Sequence, residues 1–111
     1  MPRQRGQLIR RGDVIDADIP GVGIHPVVVV TRDTAIPVLS AVVCVLVTST
    51  FHGHVAEVAL GGDEGLDHEC AANCDNLFTL PTSVLRRRRG RLSSAQIAKL
   101  DAALKVALDL S

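Results

Sequence analysis

The sequence predicts a mainly β fold with one helix: a small antiparallel barrel or α+β fold of five to six short strands plus a C-terminal helix. Three observations predict it. Short Val-rich runs, most clearly residues 27–31 and 39–47, lie between turn signals. Ser93 is followed three residues later by Gln96, a capping box, after which Ile97, Leu100, Leu104, Ala107 and Leu108 share one helical face. No repeat or linker divides the 111 residues, a length suited to one domain with its own core.

The elements follow in order. Residues 1–11 read as a basic, flexible arm. Residues 12–18 form a first strand, with Val14 turned to the core and Asp16 to solvent. Pro20-Gly21-Val22-Gly23 reads as a mobile loop leading to His25-Pro26. The two central strands, 27–31 and 39–47, are joined by a turn around 33–37. Residues 54–60 alternate as a fourth strand, in which Val55 and Val58 favour β structure and Glu57 can face water. Gly61-Gly62-Asp63-Glu64-Gly65 is a loop signal. A further strand covers 70–76 and an edge strand 86–92, before a helix over 94–109.

Composition narrows the class. Apolar residues make up 47% of the chain, yet the aromatics are only Phe51 and Phe78, so Val, Leu, Ile and Ala must build the core. No apolar run nears the roughly 18 residues that span a bilayer, and the Arg-rich start lacks the apolar stretch of a secretion signal. A cytoplasmic protein with no membrane partner is expected. Twelve basic residues balance twelve acidic ones. Before residue 92 every basic residue is Arg, including the run Arg86 to Arg89 and Arg91. The planar Arg fork suits phosphate, which favours a nucleic-acid partner; a solvated, aggregation-resistant edge accounts for the same residues. Of three cysteines, Cys44 sits in an apolar strand. His68, Cys70 and Cys74 lack the paired spacing and fourth ligand of a zinc site, so reduced thiols and no metal are expected.

The most informative stretch is 25–50. It opens on His25-Pro26 and ends on Thr48-Ser49-Thr50, so polar groups frame two buried strands. Together with other short motifs it resembles the MazF/PemK toxin family. The matching pieces are Arg11-Gly12-Asp13-Val14, Pro26-Val27-Val28-Val29-Val30-Thr31-Arg32-Asp33, Leu46-Val47-Thr48-Ser49-Thr50, Glu64-Gly65-Leu66-Asp67, Cys74-Asp75-Asn76-Leu77-Phe78-Thr79-Leu80 and Gly90-Arg91-Leu92-Ser93. Each is weak alone; their shared order and spacing carry the resemblance. It implies an SH3-like barrel with a helix, a homodimer, and the toxin half of a toxin–antitoxin pair. It also implies an endoribonuclease that cuts single-stranded RNA at short sequences without a metal or other cofactor. A MazE-like antitoxin with an acidic C-terminal tail would hold it inactive.

Metal-free cleavage turns the ribose 2′-OH on the adjacent phosphate. It needs a proton acceptor, a donor for the leaving oxygen, and stabilisation of the phosphorane. In the family these tasks fall largely to an Arg before the Pro of the second strand and to the first Thr after the third. That Thr corresponds to Thr48, but the Arg position is His25. Histidine titrates near neutrality and cannot grip phosphate as a fork. His25 therefore acts as general base or acid, or the site is a weakened, slow nuclease, or His25 is a loop histidine with no role. His52 likewise stands where many relatives carry Arg, with His54 beyond it, and His25 and His52 would divide the proton transfers between them. The resemblance places Asp75 and Asn76 at the groove; the Ser49 and Thr50 hydroxyls, position 12 and the Arg86 and Arg88 guanidiniums are further expected RNA contacts, the arginines equally able to receive an antitoxin's acids. One of the Thr48–Thr50 hydroxyls must be satisfied by its own backbone, and Asp75-Asn76 also fits an Asx turn. Two Phe residues offer little base stacking, so recognition would rest on hydrogen bonds and fit. A second reading is a catalytically poor relative that binds an antitoxin at operator DNA, or gyrase in the manner of CcdB toxins. The aromatic-free end Asp109-Leu110-Ser111 argues against gyrase. A zinc-binding module is a distant third reading.

Overall fold

The valine run at the centre of the chain has no polar face because both of its sides are covered. The structure, a computed structural model, describes residues 8–111. Strand β2 (Gly23–Val29) lies between β1 (Asp13–Ile19) and β3 (Ala41–Thr48). Val27, Val28 and Val29 expose no surface. Their side chains alternate between faces, so Val28 joins one core and Val27 and Val29 the other. The first core includes Val14, Val45 and Val58 with Leu100 and Ala103 of helix α1 (Ser94–Ala107). The second gathers Ile15, Ala17, Val42, Leu80 and Leu85, with Ile36 from a single 3-10 turn at Ile36–Val38.

With β4 (Glu57–Leu60), β5 (Cys70–Pro81) and β6 (Leu85–Arg91), the strands form one antiparallel sheet in the order β4-β5-β3-β2-β1-β6. Helix α1 packs on β4 and β5. The result is the six-stranded half-barrel with a C-terminal helix that the sequence predicts.

Local chemistry shifts several boundaries. Pro20-Gly21 is not a mobile loop but the centre of a tight turn, closed by Val22 N–H to Ile19 O at 2.9 Å. Gly21 has φ of 78°, and Pro followed by a left-handed Gly is the type II pairing. His25 therefore lies inside β2 and not at its mouth. Residues 1–7 of the expected arm lie outside the described residues. Arg11 is anchored: Nε donates to Val30 O at 2.9 Å and a terminal nitrogen meets Asp101 at 2.8 Å. The fourth strand begins at Glu57 and not at residue 54, because Glu57 N–H turns back to His54 O at 3.0 Å; Val55 is left exposed. Strand β5 continues to Pro81 past a bulge, since Val45 pairs with Leu77 while Leu46 pairs with Asn73. Three residues, Cys74, Asp75 and Asn76, are thereby displaced from the β3 ladder. Only half of the capping box forms. Ser93 Oγ accepts from Gln96 N–H at 3.2 Å, but the Gln96 amide donates to Ala59 O, fastening α1 to β4. The helix ends at Ala107, short of 109, where Asp109 turns left-handed.

The Arg run of β6 meets the aspartates of β1. Arg91 Nε donates to Asp13 at 2.8 Å, and Asp13, fully buried, also accepts Arg10 N–H at 2.9 Å. Arg87 and Arg89 lie 3.7 and 3.4 Å from Asp16, and Arg86 is 3.7 Å from Asp18. Asp16 does not face water, as the strand alternation suggests, because these guanidiniums cover it. The exposed pairs contribute about 0–1 kcal/mol each. Buried Asp13 matters more, because removing it leaves the Arg10 N–H and the Arg91 Nε without their shared acceptor.

Candidate functional site

Strands β2 and β3 part company at Pro26, and the gap is the candidate site. Their ladder covers Val27, Val28 and Val29 and stops there. Val30 N–H bonds to Val43 O across β3. By alternation the even-numbered residues of this segment turn their N–H toward β3, and Pro26 has none to give. Beyond it β3 continues alone against β5, pairing Val47 with Ala72 and Thr48 with Ala71. The opened wedge is a cleft of about 230 Å³ lined by His25, Pro26, Thr48, Ser49, Asp67 and Arg89, among others. A second cleft of about 400 Å³ lies beyond Thr48 and Ser49, which border both. It is completed by Thr50, His52, His54, Glu57, Asn73 and Asp75.

His25 and Thr48 thus share a cleft. His25 Nδ1 is buried without a hydrogen-bond partner among the described residues. The Thr48 hydroxyl is satisfied by backbone, its one proton having the Thr50 carbonyl at 3.3 Å and the Ala71 carbonyl of β5 at 3.4 Å as alternative acceptors. Both contacts are long for a hydroxyl and are easily exchanged for a better acceptor. His52 does not line the His25 cleft; it lies in the neighbouring one, with the Thr48–Ser49 wall between. Its ring is 5.7 Å from that of His54. Glu57 organises this loop: its carboxylate accepts the N–H of His52 at 3.1 Å and of His54 at 3.0 Å. The His54 N–H holds the Glu57 carboxyl below its ordinary range, with the His52 N–H and both imidazoles adding to this against a desolvation cost. The sequence alternation casts Glu57 as a strand residue facing water and hides this role.

The other expected contacts divide. Ser49 and Thr50 line the clefts, as does Asp75, whose N–H is held by Asn73 Oδ1 at 3.1 Å. The Asx bond comes from Asn73, one residue before Cys74. Asn76 is exposed on the bulge and borders neither cleft. Position 12 is Gly12, which has no side chain to offer and is buried against Ile97 and Leu92, so it is withdrawn as an RNA contact. Arg86 donates to Ser83 O and pairs with Asp18, and Arg88 is exposed; neither borders either cleft.

Arg89 enters the His25 cleft instead. Its Nε donates to Gly65 O at 3.0 Å, one terminal nitrogen lies 3.4 Å from Asp16 and the other 3.2 Å from Asp67. Nothing in a run of four arginines marks which one turns inward. Register shifts between β1 and β6 on either side of Ile15 decide it. His68 and Cys70 touch at 3.3 Å, but among the described residues no three His, Cys, Asp or Glu side chains converge as a metal set would. Burial pushes the Cys44 thiol up to about 12 and Cys74 to about 11, so both are protonated at neutral pH. Burial raises Cys70 too, opposed by nearby Arg89.

A curled antiparallel sheet with one C-terminal helix defines a small SH3-like half-barrel. Residues 10–108 match the family described as PemK-like, MazF-like toxin of type II toxin-antitoxin system, and the chain belongs to that family. It is 42% identical over 90 residues to the probable endoribonuclease MazF2 of Mycobacterium tuberculosis, spanning 80% of this chain and 87% of that protein. The Mycobacterium tuberculosis toxin MazF-mt6 superposes with a TM-score of 0.83 at 30% identity, covering 89% of this chain and 98% of that one. A mycobacterial endoribonuclease solved with its cognate antitoxin superposes at 0.84, also at 30% identity, covering 94% and 98%. The alternative of a catalytically poor relative acting by binding an antitoxin at operator DNA, or gyrase, is not favoured.

Proposed function

We propose that this protein is the toxin of a type II toxin–antitoxin pair and cleaves single-stranded RNA across the Thr48–Ser49 wall, without a metal. The carrying observation is that His25 and Thr48 line one cleft. The family of the chain and the endoribonucleases it resembles support the activity. In the reaction the O2′–P bond forms as the P–O5′ bond breaks. The 2′-OH proton passes to an imidazole, and a protonated imidazole gives one to the leaving O5′. The products are a 2′,3′-cyclic phosphate and a 5′-OH end; no water is consumed. Both proton steps need a side chain that gains and loses protons near neutrality, which histidine supplies. In this reading His25 on one side of the wall and His52 on the other divide them, with Thr48 and Ser49 donating hydrogen bonds to the phosphate between.

A polar cleft that takes a polyanion also takes an acidic peptide. The controlling partner is therefore an antitoxin whose acidic tail competes with RNA; a mycobacterial endoribonuclease was solved with its cognate antitoxin. The protein works as a homodimer, a reading supported by an apolar groove where Leu39, Val43, Leu77, Leu104 and Leu108 meet. Among the described residues no helix is long and apolar enough to cross a membrane, and the site of action is the cytoplasm, where the RNA is.

The test is the pH–rate profile of cleavage for the wild type, His25→Ala and His52→Ala. The wild type gives a bell, and each variant loses one limb with about a 10²- to 10⁴-fold fall in rate. Wild-type rates in both variants would end the two-histidine assignment.

A further inference from the structure

We propose that Arg89 supplies the guanidinium that grips the scissile phosphate, providing from β6 the charge that position 25 does not provide from β2, and that Asp67 caps it until RNA arrives. This rests on the nuclease reading above and names the cation of that same site. The chemistry requires one. A phosphorane carries more negative charge than the phosphate it comes from, and hydroxyls and an exchanging imidazole leave part of it unmatched. Among the described residues lining the two clefts, Arg89 is the one with a permanent positive charge.

Its three nitrogens are not held alike. Nε is fixed on the carbonyl of Gly65 at 3.0 Å, and one terminal nitrogen on Asp16 at 3.4 Å, a carboxylate whose side chain is 13% exposed. These two contacts set the guanidinium's plane and keep it in the wedge. The remaining nitrogen meets Asp67 at 3.2 Å, and that side chain is 87% exposed. An ion pair with so exposed a partner is weak and is readily traded for a phosphate, whose bonds to a half-desolvated guanidinium are charge-assisted. Arg89, 14% exposed, sits where water screens it poorly, which strengthens its pull on an anion. Asp67 lies in the same cleft and repels an incoming phosphate until displaced. A carboxylate resting on the guanidinium is also a small internal mimic of the acidic peptide expected to inhibit the protein. Arg86, Arg87 and Arg91 hold β1 aspartates and border neither cleft.

The experiment compares wild type, Asp67→Asn, Arg89→Lys and Arg89→Gln. It reads kcat and KM on an RNA carrying one mapped cleavage site, the salt dependence of kcat/KM, and the Kd for the same RNA with 2′-deoxyribose at that site. Thermal melts monitor folding. Asp67→Asn should lower KM and the Kd about threefold or more, because it removes a competitor and leaves the Gly65 and Asp16 contacts in place. Arg89→Lys and Arg89→Gln should lower kcat/KM about 10²-fold, and Arg89→Gln should also reduce the salt slope by about 0.7. A merely structural Arg89 would lower the melting temperature but leave the salt slope and the Asp67→Asn affinity at wild-type values, and that result overturns the proposal. Should Arg89→Gln not fold, Asp67→Asn and Arg89→Lys decide by the same readings. A wild type that does not cleave RNA instead removes the nuclease reading beneath it.

Discussion

Replacing Thr48 by Val is expected to lower RNA cleavage about 10²- to 10³-fold, the usual effect of removing one hydrogen-bond donor aimed at developing charge. The fold should barely notice. The Thr48 hydroxyl has two carbonyls at 3.3 and 3.4 Å as alternative acceptors, beyond the usual hydroxyl range, and Val keeps the branched shape at the strand end. Such a bond contributes about 0.5–1.5 kcal/mol, and less at this length. Thermal melts should therefore move by a few degrees while activity collapses. Thr48→Ser, which restores the hydroxyl, should recover most of the rate. The controls matter because Thr48 borders both clefts, so a general loosening would disturb both. Full activity in Thr48→Val would remove the residue from the chemistry.

Gly65→Ala should unfold the chain more easily by about 2–5 kcal/mol, summing left-handed strain of about 1–2 and overpacking of about 1–3. Gly65 has φ of 83°, and a Cβ there would sit inside the carbonyl of Arg89. A Cβ on Gly90 would meet the carbonyl of Glu64 in the same way. The loop before β5 and strand β6 therefore lie backbone to backbone, with no room for a side chain between them. Because Gly65 O also holds Arg89 Nε, the substitution displaces the cleft's guanidinium as well as the strand. Urea titration should show a lower midpoint at unchanged slope. Gly62→Ala three residues earlier meets nothing within 4 Å and should stay within about 0.5 kcal/mol of wild type. Equal stability of the two variants would refute the close approach.

The sheet was readable where burial is two-sided or alternation clean. The valines of β2, the run of β3 and the capped helix each announce their element, because hydrophobic period and caps are local signals. Errors fall where a side chain reorganises backbone from a distance. Glu57 gathers two N–H groups and turns a promising strand at residues 54–56 into a loop. The β5 bulge turns on which residue of β3 faces Asn73, a pairing no local pattern contains. The site shows the same limit. His25, Pro26 and Thr48 were visible as a motif, and Pro26 carries its own physical reason, a missing N–H that parts two strands. Arg89 was not visible, because its inward turn depends on how β6 registers against β1. Position 25, read alone as a weakened phosphate grip, looks different beside a guanidinium in the same cleft.

The central claim is that a cleft between β2 and β3 cuts RNA by internal attack of the 2′-OH. The most direct measurement incubates the purified wild type with a mixed RNA pool in excess EDTA, across neutral pH, and sequences the new ends. Cleavage should persist in EDTA and leave 5′-OH and 2′,3′-cyclic phosphate termini gathered at a short recurring sequence. Intact RNA at every pH, or 5′-phosphate ends whose formation EDTA abolishes, would contradict it.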